Sequence, residues 1–333
     1  MTISPDPDRA RQYQALLAAG RYQELLEEHA SAPPDAAGEP APIALAVATA
    51  ALRLGRLPEA TDLAAKAHDA FRRRADDDGR LRSLNLLGAI AFERGELPGA
   101  EAHWTTALEL ARALGDTLFA ARVSNNLGSA LHLGGRVGES QSLYRRALLE
   151  YGRLGERRFI AETAHNLAMT FRSSGDLDLA DALSAEAVRH AESVGDPVLS
   201  ALMLTGRAEA CIERGEYGLA EEALTRADRL AREGGDELGI AEVSRVRGEL
   251  WLRSNQADRA LAEVEPALAA AARSGSALLE ADCAAVASRA LAALGRTDEA
   301  RQRHAAAAAI YASLGAALQL DRLGKAPGSP PIE

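Results

Sequence analysis

The chain has 333 residues and a formal net charge of −10, and only 4% of it is aromatic. That acidic balance excludes non-specific binding to nucleic acid, and abundant alanine with few aromatics suits closely packed helices better than a large globular core or a sheet. MTISPDPDRARQYQ at the start has no apolar signal region, and no run of about 18 uncharged apolar residues offers a membrane span, so a cytoplasmic protein is expected.

Residues 1–6 are expected to be unstructured. Residues 7–31 read as a short helical hairpin: Ala10, Tyr13, Leu16 and Leu17 recur at helical spacing, Gly20 turns the chain, and Tyr22, Leu25 and Leu26 come next. SAPPDAAGEPA (31–41) is a Pro/Gly/Ala linker. The first long unit, 41–80, has Gly55 and Ala60 in phase with the later units. It ends in Arg72, Arg73, Arg74, Asp76, Asp77 and Asp78, a solvated helix end whose arginines suit the helix dipole. Six further units run at 81–120, 121–160, 161–200, 201–240, 241–280 and 281–320. AALQLDRLGK then caps the last hairpin, and APGSPPIE forms a tail. The expected division is therefore 1–40, 41–320 and 321–333. Cys211 and Cys283 fall on helices with no Cys-x-x-Cys spacing, which reads as two reduced, buried thiols.

A step of forty residues relates these units. Gly88 leads to Gly128, Ala168, Ala208, Gly248 and Ser288; Ala100 leads to Ser140, Ala180, Ala220, Ala260 and Ala300. Ala107 leads to Ala147, Ala187, Ala227, Ala267 and Ala307. These small columns let helices approach closely. Gly95, Gly135, Gly175, Gly215, Asn255 and Gly295 each stand between one helical run and the next, where a left-handed backbone ends a helix. Asn255 is the residue type that tolerates this conformation after glycine. Gly115-Asp116, Gly195-Asp196 and Gly235-Asp236 end the second helix and supply a carboxylate cap for the next.

Leu87-Gly88, Ala100, Trp104 and Ala107 resemble the tetratricopeptide repeat, as do Leu127-Gly128, Ser140, Tyr144 and Ala147. The resemblance covers about residues 41–315. Its forty-residue period is similar to the variant of kinesin light chains, animal spindle-orientation scaffolds, bacterial peptide-pheromone receptors and the sensor regions of large bacterial transcription activators. It implies an all-α fold: a right-handed α-solenoid of antiparallel helix pairs, with about seven repeats behind an N-terminal capping hairpin.

The resemblance also implies a concave groove lined by the first helix of each pair. Its exposed places hold Arg82, Asn85, Phe92, Arg122, Asn125, Asn126, His132, His165, Asn166, Met169 and Arg172. The Asn126 and Asn166 amides suit the backbone of an extended peptide, or else link neighbouring first helices. Arg82, Arg122 and Arg172 suit a carboxylate, so a peptide or protein segment with an acidic feature is the expected partner. Phe92, Leu133, Met169 and Ile212 are expected to add apolar contacts. His132 and His165 read either as pH-sensitive ligand groups or as plain polar lining. Where the motif has leucine, two repeats carry Arg207 and Arg247. Asp228 is expected to face the next first helix, so an Arg207–Asp228–Arg247 cluster is expected to satisfy the buried charges.

No nucleophile motif, phosphate loop or metal-ligand spacing accompanies the groove. The expectation is a non-enzymatic scaffold or adaptor with no cofactor, no membrane contact, and self-association open through the solenoid ends. The alternative is a regulatory receptor whose groove binds a small signal peptide or metabolite and changes shape.

Overall fold

The computed structural model describes residues 7–32 and 39–327. The sequence expectations for residues 1–6, most of the linker and the end of the tail lie outside the described residues. Among those described, seventeen α-helices and no strands are present. The chain divides into two compact units, Met1–Leu127 and Gly128–Glu333.

The first unit holds α1 (Pro7–Ala18), α2 (Tyr22–Ser31), α3 (Ala41–Arg53), α4 (Leu57–Arg73), α5 (Asp77–Glu93) and α6 (Leu97–Leu114). The division falls within α7 (Thr117–Leu133). The second unit holds α8 (Val137–Leu154), α9 (Arg157–Ser173), α10 (Leu177–Val194), α11 (Pro197–Arg214), α12 (Tyr217–Glu233), α13 (Glu237–Arg253), α14 (Ala257–Ser274), α15 (Ala277–Ala293), α16 (Thr297–Ser313) and α17 (Ala317–Leu323). From α5 onward the period is strict. First helices start at residues 77, 117, 157, 197, 237 and 277, and second helices at 97, 137, 177, 217, 257 and 297.

The turns explain that regularity. Gly95, Gly135, Gly175, Gly215 and Gly295 have φ between 73° and 82°, and Asn255 takes the same conformation at 59°. The cap after the second helix is a carboxylate accepting from the backbone: Asp116 from Phe119 N at 2.9 Å, Asp196 from Val198 N at 3.0 Å and Asp236 from Gly239 N at 3.0 Å. Ala75 stands where later repeats have Gly115, Gly155, Gly195 and Gly235, yet it holds φ at 52°. A Cβ in that conformation is strained.

In the first unit α1 and α2 bury Tyr13, Leu16, Leu25 and Leu26 against Ile43, Ala46, Val47 and Ala50 of α3. The hairpin thus covers the apolar face that α3 would otherwise expose. At Gly88 an added Cβ would lie 2.5 Å from Trp104 Nε1, so the small column is filled by an aromatic ring of the partner helix. Gly128 and Tyr144 repeat the arrangement in the second unit, at 2.8 Å. There the core is a run of small and aliphatic residues, including Ala187, Leu204, Ala208, Ala227, Val243 and Leu250.

Candidate binding groove

Within each unit, first helices touch the next first helix: α3 meets α5, and α9, α11, α13 and α15 meet in succession. No comparable series joins successive second helices among the described residues. The layer whose neighbours approach more closely is the inner one, so the first helices form the inner face of each unit.

In the first unit, Asn126 Nδ2 donates to Asn85 Oδ1 at 3.0 Å, and Trp104 Nε1 donates to the Asn85 carbonyl at 3.1 Å. Asn126 therefore does link neighbouring first helices. Phe92 is half-buried with its ring 5.8 Å from that of Trp104. Arg122 lies 5.5 Å from the Phe119 ring, and half-buried Asn125 sits beside Asn126. Arg82 is exposed, and its guanidinium donates to Asp78 on its own helix at 2.9 Å.

The second unit carries a line of charge. Arg172 of α9 pairs with Glu209 of α11 at 2.5 Å and reaches Glu213 at 3.5 Å. Glu209 pairs in turn with Arg245 of α13 at 2.5 Å, and Arg245 also donates to Glu242 at 2.9 Å. Arg172, Glu209 and Arg245 are only 9%, 17% and 13% exposed. Farther along, Arg289 of α15 donates to Glu249 of α13 at 3.0 Å, and Arg253 binds the same carboxylate at 3.2 Å. Burial opposes ionisation of Glu209, but Arg172 and Arg245 outweigh it and hold the carboxyl well below its ordinary range. Tyr311 donates to Asp282 at 2.6 Å. Burial pushes Asp282 up to about 6, against the pull of Arg245.

The two histidines are half-buried, and desolvation favours their neutral forms. His132 Nε2 lies 2.9 Å from Ser173 Oγ. The Ser173 hydroxyl gives its proton to the Met169 carbonyl at 2.8 Å, so His132 is the donor to Ser173. Burial, with Arg322 and Arg172 adding to it, lowers His132 to about 4. His165 packs over Gly206, where an added Cβ would lie 2.3 Å from its ring. Burial lowers its pKa as well, while Glu209 and Glu242 oppose the shift. Asn166 and Met169 are half-buried beside it.

Two expectations are corrected. The cluster of Arg207, Asp228 and Arg247 does not form. Asp228 accepts from Arg232 one turn along its own helix at 2.8 Å, while Arg247 donates to Glu263 of α14 at 3.0 Å. Glu263 sits on the helix paired with that of Arg247 and reaches it first; Arg207 is half-buried, and among the described residues no ion pair joins it to Asp228. Leu133 and Ile212 are core residues, 8% and 2% exposed, rather than groove contacts. Arg82 and Arg172 already hold carboxylates of their own chain. The Glu209 and Arg245 ladder went unforeseen, although both fall at groove places of the repeat. The readable signal was opposite charge one repeat apart, offset along neighbouring first helices.

A family model described as the tetratricopeptide repeat matches residues 79–149. Residues 79–149 carry tetratricopeptide repeats. Among solved structures, the repeat protein is similar to the apo form of RapI, with a TM-score of 0.68 at 10% identity over 82% of this chain and 98% of that one. It is similar to the Rap conjugation gene regulator of plasmid pLS20 in complex with the Phr* peptide, at 0.66 and 17% over 87% and 76%. A tetratricopeptide repeat protein from Parabacteroides merdae ATCC 43184 gives 0.52 and 17% over 90% and 98%. At these identities the likeness is one of fold: an all-α solenoid of paired helices. No curated protein sequence matches the chain. No described helix is long and apolar enough to cross a membrane, and no three potential ligand side chains converge among the described residues.

Proposed function

We propose that the repeat protein is a non-enzymatic, cytoplasmic scaffold that binds a protein or peptide segment on the face built by its first helices. The observation that carries this reading is the ladder Arg172–Glu209–Arg245 in the second unit. Buried ion pairs add little net stability over apolar side chains of similar volume, and the small-residue columns already hold the helices together. Charge kept on the inner face therefore serves recognition. His165, Asn166 and Met169 lie alongside it, and Arg122, Asn125 and Asn126 offer a similar polar surface in the first unit. An acidic group of the partner is received by exchange with Glu209 or Glu213 at Arg172, or with Asp78 at Arg82. The Rap regulator of similar fold was solved with a peptide.

Affinity capture from the source cell tests this, comparing wild type with an Arg122→Glu/Asn126→Ala/Asn166→Ala variant that stays helical by circular dichroism. A protein held by wild type and lost by the variant is the expected result. Equal retention moves the interface off the first helices. A receptor reading has its own support: the ladder ties α9, α11 and α13 together, so a small ligand entering it would alter helix spacing. Compaction with a small peptide or metabolite in X-ray scattering, with no protein captured, would favour that reading.

A further inference from the structure

The solvent face of α8, a second helix, departs from its repeat at three places at once. Leu149 is 55% exposed, where the other repeats carry Asp69, Glu109, Arg189, Arg229, Ala269 and Ala309. Gly152 stands where they carry Arg72, Arg112, Glu192, Arg232, Ala272 and Ala312. Arg145 stands where they carry alanine, threonine or glutamate. Glycine inside a helix weakens it, by about 1 kcal/mol relative to alanine. At Gly88 and Gly128 a packed ring requires the missing side chain, but nothing lies within 4 Å of a Cβ added at Gly152. Packing therefore does not explain this glycine.

The missing side chain leaves open space beside a shallow depression. Leu148, Leu149 and Gly152 line a surface depression of about 520 Å³, flanked by Arg145 and Arg153. Leu148 is anchored in the core against Tyr144, Leu167 and Phe171. The Arg145 guanidinium is held 5.1 Å from the Phe171 ring, so one cation sits fixed at the rim. Arg153 pairs with Glu150 at 2.9 Å and stays 65% exposed. On α8 three arginines, Arg145, Arg146 and Arg153, stand against Glu139 and Glu150, in a chain of net charge −10. The helix that bears the depression is thus net positive.

We infer that this face of α8 docks an acidic segment of another protein, one large apolar side chain entering the pit at Gly152 and a neighbouring carboxylate meeting Arg145 or Arg153. The surface belongs to a second helix and is separate from the first-helix face. Charge complementarity selects the occupant: a carboxylate is attracted to Arg145 and Arg153, and a basic segment would be repelled.

A displayed library of random short peptides, selected on the full chain, tests the inference. Peptides pairing Leu, Phe or Trp with Asp or Glu are expected to be enriched. Their binding, read by fluorescence anisotropy, is expected to fall about tenfold or more in Gly152→Glu, which fills and recharges the pit. Leu149→Arg separates the two terms, because it adds positive charge while removing the apolar floor, and it too is expected to weaken binding. Both changes have counterparts in other repeats, so both variants are expected to unfold no earlier than wild type. Tighter binding to Leu149→Arg, enrichment of basic peptides, or no enrichment overturns the proposal. So does a dimer seen by sedimentation that Leu149→Arg dissolves, because the occupant would then be a second copy.

Discussion

At the scale of single residues, two positions show how local strain and burial set stability. Ala75 holds φ at 52° where its counterparts are glycine. Ala75→Gly removes the Cβ clash and loosens the unfolded chain, and the first effect is the larger. A gain of roughly 0.5–1 kcal/mol in urea unfolding is expected; a loss would mean that the turn carries no strain. His132 and Asp282 have opposed proton linkage. Unfolded histidine takes its proton near 6.5 and folded His132 only at about 4, so its contribution is lost as pH falls through that window. Folded Asp282 keeps its proton up to about 6 while the unfolded carboxyl releases it near 3.8, so its contribution is lost as pH rises through almost the same window. The two slopes oppose each other in the wild type. Asp282→Asn is expected to uncover the histidine slope, with stability falling from pH 6 to 4 by up to about 1.4 kcal/mol per pH unit. His132→Gln is expected to reverse its sign. Equal slopes in the two variants, measured by urea unfolding across that range, would refute the assignment.

At the scale of helices, the second unit joins its first helices by charge as well as by packing. Glu209 is the shared anion of Arg172 and Arg245. Glu209→Gln leaves two buried guanidiniums with one carboxylate fewer, at an expected cost of roughly 3–5 kcal/mol. The loss should appear as faster amide exchange in α9, α11 and α13, with α15 and α16 little changed. Exchange rising equally in all helices would show that the ladder is not a local tie. Gly88 and Gly128 illustrate the other kind of join, where one helix omits a side chain so that Trp104 or Tyr144 can pack across it. Both glycines were legible in the sequence because the column repeats. The ladder was not, because its members come from neighbouring repeats and meet only through the stagger of one helix against the next.

At the scale of the whole molecule, helices touch mainly their neighbours in sequence. Stability of such an array is close to a sum of unit and nearest-neighbour terms. Ala75 and Glu209 lie in different units, so the effects of Ala75→Gly and Glu209→Gln are expected to add within about 0.5 kcal/mol. A double variant whose stability departs further from the sum would show coupling along the array. The local reversal of charge on α8 also belongs to this scale, since it stands out only against the acidic chain around it. Docking there is expected to weaken with salt, because exposed charges are screened over about 10 Å at moderate ionic strength.

The sequence by itself determined the helix pairs, their forty-residue step, the left-handed turns and the small-residue columns. Each of these rests on a residue type answering a backbone or steric need within its own repeat. Asn255 is the clearest case, because it takes the place of glycine and keeps the positive φ. Only the tertiary structure decided which charges meet. Arg247 chose Glu263 over Asp228, Arg172 was claimed by Glu209, and Leu133 and Ile212 turned inward. The physical reason is reach: a guanidinium on a long flexible stem samples several carboxylates, and the winner depends on a few ångströms of helix offset that no spacing along the chain records.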